Sequence, residues 1–181
     1  MKKFRLYMIV GGMPQSIEAF IKTNNFSKVD LVKRDILKLY ENDFMKFDSS
    51  GRSSLIFDHI PAELQKNASR YQISSVIENA RAGTMLERIA KLQDSKTVNI
   101  AYHANAQEAG LSQNIDLEKF KLFLCDTGLF VTLCFKDKEF TENIIYEKLL
   151  SDKIPSNLGY VYENIVAQML VAKGDELYYH T

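Results

Sequence analysis

Apolar residues recur at three- and four-residue spacing through most of this chain, and only two stretches, 97–102 and 120–124, have the composition of strands. That pattern predicts a mainly α fold with a small β-ribbon. After Gly11-Gly12-Met13-Pro14, the spacing of Ile17, Phe20 and Ile21 predicts a short helix, with Pro14 where a first turn tolerates it. Ser27 and Asp30 resemble a capping box for a longer helix, whose apolar face is Val32, Ile36, Leu39, Tyr40, Phe44 and Phe47. Residues 48–54, four of them Ser with one Asp and one Gly, break the pattern and read as a flexible linker.

Beyond that break, Leu55, Ile56, Ile60 and Leu64 predict a helix interrupted or shifted by Pro61, and Ile73, Val76 and Ile77 a second short one. A third spans about 84–93, with Met85, Leu86, Ile89 and Leu92 inward and Arg88 and Lys91 toward water or a partner. The two strand-like stretches follow, separated by a polar segment containing Gly110. Three helices and a two-stranded ribbon is the order of a winged helix-turn-helix. The last apolar helix carries Leu158, Val161, Tyr162, Ile165, Val166, Met169 and Leu170, and Gly174 stops it. Residues 177–180 then begin a strand, whose sheet is expected to be missing or very small. Boundaries accordingly fall near 51 and 125, dividing the chain into 1–51, 52–125 and 126–181.

Composition narrows the functional classes. The 181 residues are 46% hydrophobic and 11% aromatic, enough for a substantial core. Twenty-three basic and 23 acidic residues cancel, so binding to nucleic acid or an anionic surface requires a local patch. Cys125 and Cys134 lie in apolar surroundings and read as buried thiols of a reducing compartment, which predicts a cytoplasmic protein. No apolar run approaches the ~18 residues of a membrane span, and the start of the chain lacks the pattern of a secretory signal. His59, His103 and His180 are far apart in sequence without Cys or carboxylate at ligand spacing, so no metal site is expected.

Three phrases carry a family resemblance: Tyr7-Met8-Ile9-Val10-Gly11-Gly12-Met13-Pro14, Phe120-Lys121-Leu122-Phe123-Leu124-Cys125-Asp126-Thr127-Gly128-Leu129, and Tyr162-Glu163-Asn164-Ile165-Val166-Ala167-Gln168. In this order and spacing, the chain resembles the domain of unknown function that follows the AAA-type core in many bacterial and archaeal predicted ATPases. The resemblance implies a helical lid over 1–51, a winged helix over 52–125 and the helical start of a truncated restriction-endonuclease-like α/β domain over 126–181. It also implies ATP and magnesium for a full-length relative. This chain contains no Gly-x-x-x-x-Gly-Lys-Ser/Thr phosphate loop and no nuclease-type Asp followed by Glu-x-Lys at its end, so no cofactor and no catalytic residue are expected within it.

Four features are weighed on that footing. Gly11, Gly12, Met13 and Pro14 resemble the turn by which a lid packs on a nucleotide base; the plainer alternative is a turn that starts a helix. Arg81, Arg88, Lys91 and Lys96 lie near the exposed side of the third helix and form a candidate DNA surface, against which stand Glu87 and the zero net charge. Glu163 matches the first carboxylate of the nuclease-like domain, or is a solvated residue beside a buried face. Asp126 reads as the N-cap of the helix that follows it. The resulting expectation is a non-catalytic regulatory and interaction portion of a AAA-type ATP-binding protein, coupling an ATPase core to an effector. A DNA-binding winged-helix protein is the alternative. Self-association is expected if apolar surface near 10–17 or 177–179 is uncovered.

Overall fold

A computed structural model describes residues 2–105, 115–137, 143–151 and 159–180. Gly110 and Leu158 lie outside the described residues. Helices α1 (Lys2–Val10), α2 (Pro14–Thr23) and α3 (Phe26–Phe47) come first, followed by α4 (Arg52–Asp58), α5 (Ile60–Gln65), α6 (Ile73–Val76) and α7 (Ala82–Asp94). Strands β1 (Val98–Ala104) and β2 (Ile115–Leu124) then lead to α8 (Thr127–Leu133), α9 (Asn143–Leu150), α10 (Gly159–Lys173) and β3 (Leu177–Tyr179). The fold is mainly α with a small three-stranded sheet.

The two strand-like stretches pair antiparallel as expected, in a register that matches Val98 with Leu124 and Tyr102 with Phe120 before it shifts at His103. The terminal strand has a partner after all. β3 pairs parallel with β1, setting Ala101 opposite Leu177 and His103 opposite Tyr179, so the sheet order is β2-β1-β3. It therefore completes the sheet made by the ribbon. The parallel pairing links residues 76 positions apart, which spacing within one segment cannot reveal.

Helix starts follow the chemistry of free backbone donors, though one differs from expectation. Asn25, not Ser27, caps α3, its side chain accepting from the Ser27 and Lys28 backbone N–H groups. The long chain of α3 turns Val29, Ile36, Leu37 and Phe44 inward, while Leu39 is exposed. Two charged residues, Asp30 and Lys33, are buried on that same inward face. His59 separates α4 from α5, and Pro61 sits in the first turn of α5. Residues 48–54 form a bonded corner rather than a loose tether. The buried Asp48 accepts from Ser50 Oγ, from the Ser53 backbone at 2.8 Å and from Ser53 Oγ at 2.8 Å. One core cluster unites Met8 and Ile9, Phe44 and Phe57, Ile89 and Leu92, Phe120 and Leu122, Phe130, and Val161 and Ile165.

Candidate functional site

The three phrases that carry the family resemblance converge on one junction. Asp126 ends β2's run and begins α8, and one of its carboxylate oxygens accepts from the Leu129 backbone at 2.8 Å as the expected N-cap. Its other oxygen accepts from the Gly12 backbone at 2.6 Å, fastening the turn between α1 and α2. The fastening requires small residues. A Cβ on Gly11, whose φ is +80°, would strike the Asp126 carboxylate, and one on Gly128 would lie 2.5 Å from both Cα and N of Gly11.

Two amides of α10 close the junction from the third side. Asn164 Oδ1 accepts from the Leu124 backbone at 2.8 Å, and Asn164 Nδ2 donates to Leu124 O at 3.2 Å and to Thr127 Oγ1 at 3.0 Å. One helical turn on, Gln168 Oε1 accepts from both the backbone N–H and the hydroxyl of Thr127, at 2.9 and 2.7 Å, and Gln168 Nε2 donates to Tyr7 Oη at 2.7 Å. Burial, the nearby Asp126 charge and this bond act on the Tyr7 hydroxyl, with a net rise in its pKa. Side-chain amides thus take over backbone bonding where a strand passes into a helix.

Beneath the turn lies a buried charge. Lys33, 0% exposed, donates to Ile9 O at 2.8 Å, Gly128 O at 3.2 Å and Tyr146 Oη at 3.3 Å. Burial draws its pKa down to about 8 despite the attraction of Asp30 and Asp126. Asp30 accepts from Tyr146 Oη at 2.5 Å, Thr132 Oγ1 at 2.9 Å and Arg34 Nε at 2.8 Å. Lys33 is absent from the residues singled out in the sequence, Asp30 entered there only as part of a capping box, and Asn164 and Gln168 only as members of the third phrase. The available signal was a polar side chain on an otherwise apolar helix face.

The predicted site residues fall in different places. Gly11 is buried, Gly12 and Pro14 are exposed, and Met13 is half-buried with its sulfur 3.9 Å from Tyr40 Oη. Pro14 begins an exposed stripe that continues through Ile17, 38% exposed, and Ile21, 76% exposed. Val10, the other end of the surface expected to be uncovered, is buried. Among the basic residues, Arg88 turns back to donate to Asp48 at 3.0 Å, and Lys91 pairs with Glu87 at 2.7 Å along its own helix. Arg81 borders a groove of about 460 Å³ shared with Arg70, Gln72 and Glu118, and Lys96 occupies a left-handed turn at φ +60°. The four are therefore not one free basic face.

Glu163 stands on α10 and pairs with Lys121 of β2 at 2.7 Å. His103 and His180, distant in sequence, come together through β3 with ring centroids 5.7 Å apart, while His59 bonds within its own helix to Leu55 O. Among the described residues no group of three or more His, Cys, Asp or Glu is placed to hold a metal ion. Both cysteines are free, and burial pushes the Cys125 and Cys134 thiols up to about 11 and about 12. Among the described residues no helix is long and apolar enough to cross a membrane.

Fold and junction together define a mainly helical protein with a small mixed sheet, in which buried polar side chains hold a glycine turn beneath an exposed apolar helix face. The chain belongs to the family of the domain of unknown function DUF8612, whose model matches residues 1–139. That match contains α1 to α8 with β1 and β2, and α9, α10 and β3 follow it. No curated protein and no solved structure shows significant similarity to the chain.

Proposed function

We propose that this chain is a non-catalytic docking module that couples a AAA-type nucleotide-binding core to an effector. The observation that carries the reading is the stripe of Pro14, Ile17 and Ile21, at helical spacing on α2 and open to solvent. A lone exposed isoleucine needs no partner, but a stripe that begins at a turn fastened by Asp126 presents a fixed apolar edge. Ordering that edge in advance lowers the entropy lost on binding. In this reading ATP and magnesium belong to the core, with Gly12 and Pro14 lying over the nucleotide base.

The order of α4 to α7 followed by the β1–β2 ribbon supports a winged helix as the middle of the module. DNA binding by α7 has weaker support, because Arg88 is committed to Asp48 and Lys91 to Glu87. The test is co-purification. The coding sequence on either side of this chain is read for a polypeptide with the phosphate-binding loop, which is co-expressed with the chain and with an Ile17→Asp, Ile21→Asp variant. Retention by the parent chain and loss in the variant is the expected result. Finding no such polypeptide, or equal retention of both chains, counts against the proposal.

A further inference from the structure

Helix α10 is apolar on both sides, a property of helices covered on both sides. Its inner side buries Val161, Ile165 and Ala167 against the core, together with the Asn164 amide. Its outer side leaves Val166 53%, Met169 54% and Leu170 40% exposed. The residues of this outer side fall at helical spacing: Glu163, Val166, Met169, Leu170 and Lys173. An acidic residue thus stands at the N-terminal end of the apolar stripe and a basic one at its C-terminal end.

We infer that α10 is a homodimer interface, packing antiparallel on α10 of a second copy of this chain. The charge order chooses that partner and that direction. In an antiparallel pair centred near Gln168, Glu163 meets Lys173 of the partner subunit, and the two-fold axis repeats the contact at the other end. Glu163 also lies against Lys121, and Lys173 is 3.8 Å from Asp175, so in the dimer each of these charges is shared between a neighbour in its own chain and one in the other. A parallel pair would instead set Glu163 against the same residue of the partner. Antiparallel alignment also places opposite ends of the two helix dipoles together. Fifteen residues of α10 give a helix about 22 Å long and about 10 Å wide, a strip of a few hundred Å² at most against the ~800 Å² per partner of a standard interface, so the expected dimer is weak and reversible at micromolar concentration.

This interface is separate from the α2 stripe, and its test does not involve the nucleotide-binding core. Sedimentation velocity of the full chain across a micromolar concentration series is expected to show a monomer–dimer equilibrium. Val166→Asp with Met169→Asp should leave only monomer. Lys173→Glu, at an exposed residue, should weaken the dimer at least tenfold, and adding Glu163→Lys together with Lys121→Glu, which keeps an ion pair within each chain, should restore most of the loss. Circular dichroism on each variant checks that the fold persists. A chain monomeric at every concentration overturns the inference, as does a dimer unaffected by the Val166 and Met169 changes. A dimer that the combined charge exchange fails to restore overturns the antiparallel register.

Discussion

Single residues decide how tightly the junction can close, and Gly128 is the least replaceable. Its added Cβ would meet backbone atoms, Gly11 Cα and N at 2.5 Å and Val10 C at 2.8 Å, which cannot rotate away as a side chain can. Gly128→Ala should therefore cost about 3 kcal/mol in urea unfolding, the upper end of overpacking effects. Gly51→Ala should cost only about 1 kcal/mol, because its φ of +73° is strained but nothing lies within 4 Å. Equal small losses would show that the close approach is not a constraint. Lys33 makes a second residue-scale prediction. Burial lowers its pKa to about 8, whereas an unfolded lysine titrates near ~10.4. Between these values the unfolded chain holds a proton that the folded chain has released, so the Lys33 contribution to stability rises with pH. Cys125 and Cys134, with raised pKa, act in the opposite direction, but they do so equally in a Lys33→Met variant. The stability difference between parent and variant should thus shift toward the parent by roughly 2 kcal/mol from pH 8 to pH 10. A flat difference would contradict it. No composition or spacing rule identified Lys33, because lysine is ordinarily solvated and only its bonds to Ile9 and Gly128 carbonyls show otherwise.

At the scale of elements, α10 is tied to the β2–α8 passage by the Asn164 amide. Asn164→Ala would leave the Leu124 N–H and C=O without these partners inside the protein, at a cost of about 3 kcal/mol. Hydrogen exchange should show the Leu124 amide opening faster than those at the centre of β1. Unchanged protection at Leu124 would deny Asn164 this role. Much of the element order was legible. The helix near 84–93 and the pairing of 97–102 with 120–124 follow from local periodicity, and the structure places them at α7, β1 and β2. What periodicity does not show is which side of an apolar helix meets the core. Leu39 was counted with the buried face of α3 and is exposed, while Val166, Met169 and Leu170 are the outer part of α10. The Ser-rich 48–54 segment reads as flexible because composition cannot show that Asp48 gathers Ser50, Ser53 and Arg88 around it. Burial opposes ionisation of that carboxyl, yet these hydrogen bonds and the Arg88 charge hold its pKa well below the usual carboxylate range.

In the whole molecule, three phrases, the first more than a hundred residues from the other two, meet at Asp126, Gly128, Asn164 and Gln168, and their shared product is a fixed turn at the start of α2. The resemblance supplied the phrases, and the reason they belong together became visible only through long-range contacts. The proposed role follows from what the junction supports, the exposed edge of α2 that begins at its fastened turn. Hydrogen exchange of the full chain, alone and with the co-expressed nucleotide-binding polypeptide under ATP and magnesium, maps the docking surface most directly. New protection is expected at Gly12 and along the exposed side of α2 around Ile17 and Ile21, with little change on α7. Protection confined to α7, or no change along α2 when the two polypeptides are shown to be bound, would contradict it.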